Sequence, residues 1–175
     1  MLLAPVFPSA AASPVRLEPA DAAWAAPLLA AAYAPQGTPA WLAAGWLRYA
    51  LCFGRAYANA ERTAVALWLV PGHPRITWAG QLQSGLVLAA LRHLGWAGAW
   101  RHWQAQAVAE QAISQSAPAE LHHRLLSLAV LPTAQGRDVG HRLLRLTCAV
   151  VQACAPLPCY VPARRLQDSV PSKML

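Results

Sequence analysis

Residues 121 to 154 constrain the fold more than any other stretch of the chain. Leu121 to Leu131 is a mostly apolar run that stops at Pro132; Gly136 and Gly140 follow, and Val139, Leu143, Leu146, Val150 and Cys154 then recur at helical spacing. That order predicts a strand, a tight turn and a helix, with Arg142 and Arg145 on the wetter helix face. Gly136 and Gly140 let the backbone approach a ligand closely, and the N–H groups of the helix's first turn have no intrahelical acceptor. A pyrophosphate suits such a place. The same spacing also fits a plain tight turn in which Asp138 is the N-cap of the helix.

The remaining elements read outward from this unit. Val15 to Glu18 is a first strand, and Pro19 with Asp21 opens an Ala-rich helix that Pro35 to Pro39 breaks. A second helix is expected from Ala40 to about Ala58, with Thr38 as cap and Trp41, Leu42, Trp46, Tyr49 and Phe53 at helical spacing. Thr63 to Val70 reads as a strand stopped by Pro71 and Gly72. Helices over about Gln81 to Leu94 and Trp96 to Ser116 follow, the second carrying Trp96, Trp100 and Trp103 on one face, as core or as the wall of a cleft. The expected class is α/β (α+β), with a mixed central sheet flanked by helices. A chain of 175 residues suits one domain. It is placed at 14 to 161, after a disordered Ala, Pro and Ser-rich segment over 1 to 13 and before an irregular tail over 162 to 175.

Composition removes several alternatives. With 57% hydrophobic and 12% charged residues the chain is too apolar to be disordered, so it is either a buried globule or a membrane protein. The uncharged run from Ala22 to Leu47 is interrupted by Pro27, Pro35, Gly37 and Pro39, and Ile76 to Leu91 is shorter than the ~20 residues of a span. No membrane partner is therefore expected. The proline-rich start lacks the basic opening of a secretory signal, so the expected location is cytoplasmic. Cys52, Cys148, Cys154 and Cys159 form no C-x-x-C pair and read as small buried hydrophobes, and no metal is expected. A net charge of +7 favours a polyanionic partner. The arginines are scattered, without interleaved aromatics or a known motif, so nucleic acid is not the expected one.

From Leu128 the order Leu-Ala-Val-x-Pro-x-x-Gln-Gly-x-x-x-Gly-x-x-Leu-Leu resembles the acetyl-coenzyme A signature of the GNAT N-acetyltransferase superfamily. That signature is Gln or Arg, two residues, Gly, one residue, then Gly or Ala; here Gln135 and Gly140 match and Asp138 stands in place of the first glycine. Val65 to Gly72 is similar to an Ala-x-Trp-Leu-x-Pro-Gly strand and turn of one GNAT branch, His122 to Leu125 to part of the His-Trp-Tyr-Leu that opens its cofactor strand, and Leu157 to Val161 to its Pro-x-Tyr-Leu strand.

The resemblance implies a GNAT fold and direct transfer of an acetyl group from acetyl-CoA to a primary amine of a small molecule or peptide. The pantetheine arm is then expected on backbone groups of Leu128, Ala129 and Val130, and the pyrophosphate on Gln135, Gly136, Arg137, Asp138, Val139, Gly140 and His141. Glu120 and His122, at the mouth of the strand, are candidates for the base. Many members carry their acid in an Asn-x-x-x-Tyr-x-x-x-Gly-Phe segment, which does not follow Tyr160 here. The final helix and strands of the family are accordingly expected to be missing, leaving a sheet edge that could join two copies in a homodimer. The alternative is a non-catalytic GNAT remnant or partner-binding protein, with Asp138 as its mark.

Overall fold

The structure is a computed structural model that describes residues 13–73, 75–116 and 121–162. The segment at 1 to 13 and the tail at 162 to 175 lie almost wholly outside these residues. The described residues form a mixed five-stranded sheet with helices on both faces. In chain order they are β1 (Val15–Arg16), α1 (Ala22–Tyr33), α2 (Ala40–Phe53), β2 (Gly54–Ala58), β3 (Ala64–Leu69), α3 (Trp78–Gln83), α4 (Leu86–Ser116), β4 (His123–Val130), α5 (Val139–Cys154) and β5 (Cys159–Tyr160). The strand order is β1-β2-β3-β4-β5, antiparallel except for the parallel β4–β5 pair.

β3 shows why the sheet needs cover on both sides. All six residues are buried; Val65 and Leu67 pack with α1 and α2, whereas Ala64, Ala66 and Trp68 pack with Leu143 and Val151 of α5. A strand buried on both faces reads as a continuous apolar run, as Ala-Val-Ala-Leu-Trp-Leu does.

Two helical expectations change. The helix expected to reach Ala58 ends at Phe53, and Gly54 passes straight into β2, which pairs along its length with β3. A Cβ at Gly54 would collide with the Trp68 carbonyl, so only glycine lets helix and strand meet without a loop. Pairing with β3 outweighs the helical pattern before it. Thr38 is not the cap either: α2 begins from Pro39, whose carbonyl accepts from the N–H groups of Leu42 and Ala43 at 3.0 and 3.2 Å.

Further along, the helix expected over about Gln81 to Leu94 is broken near its start, because α3 ends at Gln83, Gly85 turns with φ 74° and α4 begins at Leu86, while the division from the next helix falls at Gly95, where φ is 64°. The tryptophan stripe after it is not core. Trp96 is 72% and Trp100 54% exposed, because the small Ala99 takes the inward position; Trp103 alone is covered, edge-on against Trp78 at 4.7 Å. The cysteines divide in the same way. Cys52 and Cys154 are exposed, while Cys148 of α5 and Cys159 of β5 are half-buried against the core between helix and sheet. No described helix is long and apolar enough to cross a membrane.

Candidate functional site

The turn between β4 and α5 owes its shape to a few residues. Leu131 leads into a 3-10 turn over Pro132–Ala134, closed by the Ala134 N–H donating to the Leu131 carbonyl at 2.9 Å. The Gln135 side-chain amide reaches back to donate to the Val130 carbonyl at 3.1 Å and ties the turn to the strand end. Gly136 has φ 77°, a left-handed conformation that glycine adopts without steric penalty. Asp138 has φ 59° and ψ 8°, also left-handed, and its carbonyl accepts from the Arg142 N–H at 2.9 Å as α5 begins. It stands as N-cap by position, although its side chain makes no capping hydrogen bond.

Gly140 has another role. A Cβ there would sit 3.0 Å from Cγ2 of Val130 and 3.7 Å from Cδ2 of Leu128, so the missing side chain lets the first turn of α5 lie close against β4. The first-turn N–H groups of Val139, Gly140 and His141 point off the helix end, where the macrodipole is positive. A shallow cavity of about 430 Å³ opens there, lined by Val130, Ala134 and six turn residues from Gln135 to His141, Arg137 excepted. On the other side of the turn a second cavity of about 390 Å³ faces the β2–β3 hairpin and includes Arg137 and Arg142. Both cavities include Asp138.

The strand presents its backbone selectively. The Leu131 N–H donates to the Thr63 carbonyl at 2.9 Å, so Leu131 and, two residues back, Ala129 point their backbone groups toward β3; those of Leu128 and Val130 point away. Ala129 is thus occupied by its pairing with Val65. β5 pairs only with His123 and Arg124, so among the described residues Leu125 to Val130 have no strand on that side. A bulge precedes this free edge: Leu67 pairs with Ser127 and Trp68 with Leu125, which leaves Leu126 as the extra residue. The buried Ser127 hydroxyl then lies 2.7 Å from that of Tyr33, which donates to the Leu128 carbonyl at 3.0 Å.

Tyr33 and Ser127 escaped the reading of the sequence. No local pattern links the end of α1 to a strand more than ninety residues later, and only a serine inside an apolar strand stood as a signal. Glu120 lies outside the described residues. His122 is buried with its ring edge-on to Tyr160 at 5.5 Å, and His123 contacts the Ala155 carbonyl through Nε2 at 3.1 Å. Beside them the buried Arg124 forms a two-pronged pair with Glu110 of α4, both contacts at 2.7 Å. Burial pushes the Cys159 thiol up to about 12, with Cys148 adding to the rise, so it stays protonated and unreactive near neutrality.

The site therefore offers an outward strand edge leading to a helix N-terminus, with an exposed carboxylate at the turn. This geometry can hold an extended amide-bearing chain ending in an anion. Compared with known proteins, the chain matches no family model and no curated protein.

Proposed function

We propose that the chain is a GNAT-fold acetyl-CoA-dependent N-acetyltransferase domain acting on a primary amine. The observation that carries this reading is the free edge of β4. Beyond its two pairs with β5 the strand turns the N–H groups of Leu128 and Val130 outward, their carbonyls accepting from Tyr33 and Gln135, and it runs directly into the turn and the N-terminus of α5. Pantetheine carbonyls accept from those two N–H groups, and the pyrophosphate rests on N–H groups from Gly136 to His141. The acceptor nitrogen attacks the thioester carbon, the C–S bond breaks, the amine loses a proton and the departing thiolate gains one. The Tyr33 hydroxyl, joined to Ser127 and to the Leu128 carbonyl on the same strand edge, is our candidate donor of that proton. The outer edge of β5 is where two copies would join as a homodimer.

Asp138 favours a second reading, a non-catalytic protein of the same fold. Its carboxylate stands beside the N–H groups meant for phosphate, and its backbone holds a conformation that suits glycine. A titration of the isotope-labelled chain with acetyl-CoA, followed by amide NMR, separates the two. The first reading expects shifts at Leu128, Val130 and Gly136 through His141, and the second expects none. Shifts confined to the hairpin side of the turn would reject both.

A further inference from the structure

We propose that the face made by α3 and α4 lies against an anionic lipid surface. Trp78, Leu82, Leu88, Trp96 and Trp100 are each more than half exposed on these two helices. Trp96, Trp100 and Trp103 share one helix face by their spacing, and Trp78 packs against Trp103, so α3 continues the aromatic surface of α4. Indoles in such positions present a broad apolar body with a polar N–H at its edge, which suits the boundary between headgroups and acyl chains.

Charge decides which partner this surface fits. No acidic residue occurs between Glu61 and Glu110, and Glu110 is turned inward onto Arg124. Arg75, Arg92 and Arg101 are exposed over the same stretch. A second copy docked through this face would bring together two surfaces of the same positive sign, with no acidic residue of this stretch to offset them. An acidic protein would satisfy the arginines while leaving the indoles to find apolar cover of their own. An anionic bilayer satisfies both, with arginines at the headgroups and indoles just beneath them. The contact is a surface one, since no described helix can span the bilayer.

The full chain is mixed with phosphatidylcholine vesicles with and without phosphatidylserine, and binding is read by co-sedimentation and by the blue shift of tryptophan fluorescence. Binding is expected only with phosphatidylserine, and it should weaken with added salt. Arg92→Gln and Arg101→Gln should each weaken it about fivefold, and Trp96→Ser with Trp100→Ser should remove the blue shift. All these side chains are exposed, and circular dichroism verifies that each variant is folded. Failure to bind phosphatidylserine vesicles overturns the proposal, as does equal binding to neutral vesicles or binding unchanged in both sets of variants. Binding to polyglutamate but not to vesicles would assign the face to an acidic protein. A sedimenting dimer that Trp96→Ser dissociates would assign it to a second copy.

Discussion

Replacing Asp138 by glycine acts on two properties at once, and their sizes can be worked separately. A left-handed non-glycine residue stores roughly 1 kcal/mol, whereas glycine adds about 0.5 to 1 kcal/mol of unfolded-state entropy. The fold should therefore be unchanged or up to about 0.5 kcal/mol more stable. Binding should change more. A carboxylate ~4 Å from one phosphate charge opposes it by about 1 kcal/mol in a water-like surrounding, and Asp138 is exposed, which places it at that end of the range. Two charges of a pyrophosphate bring this to about 2 kcal/mol, or roughly thirtyfold in affinity for acetyl-CoA. Asp138→Asn separates the causes, because asparagine tolerates the same backbone but carries no charge. Calorimetric titration at low and high salt is the assay. Glycine and asparagine should both tighten binding, with the gain shrinking as salt screens the carboxylate. Equal affinities for all three chains, or a lowered melting temperature for the glycine variant, would refute the reasoning.

Other outcomes follow from the packing around this site. Glu110→Ala removes the two-pronged pair with the buried Arg124 guanidinium, and urea unfolding should report a loss of about 1.5 to 3 kcal/mol, that of hydrogen bonds to a charged group. Burial holds the His102 imidazole below its ordinary value of 6.5. As pH falls below that value the unfolded chain takes up its proton before the folded one, so stability declines on the acid side and is flat above it. In melting curves against pH, His102→Gln should lessen that decline. Thiol titration should label the exposed Cys52 and Cys154 in the native state and reach Cys148 and Cys159 only on unfolding.

Much of the site was legible because its information is local. Pro132, Gly136 and Gly140 act within a few residues of themselves, so the order strand, turn, helix followed from spacing alone, and the division of α4 at Gly95 was visible for the same reason. The reading failed where distant partners decide. Helical spacing runs on from Phe53 towards Ala58, yet the hydrogen-bond partners of that segment lie on β3 and make it β2, and the chain enters α2 from Pro39, one residue after Thr38. The exposed Trp96 and Trp100 were expected as core or as a cleft wall. Helical spacing marks a face but does not say whether anything packs against it, and the Ala99 side won by letting its neighbours approach closely.

By itself, the sequence determined the mixed α and β class and the order of strand, tight turn and helix between Leu121 and Cys154, since proline, glycine and apolar periodicity act over a few residues. Only the tertiary structure decided which groups face outward. Pairing with β3 occupies the backbone of Ala129 and turns the N–H groups of Leu128 and Val130 outward while Tyr33 and Gln135 take their carbonyls, the bulge at Leu126 sets Ser127 beside Tyr33, and the close approach of α5 to β4 depends on Gly140. Each of these depends on residues far apart in the chain, whose juxtaposition is set by packing of the whole sheet and not by local propensity.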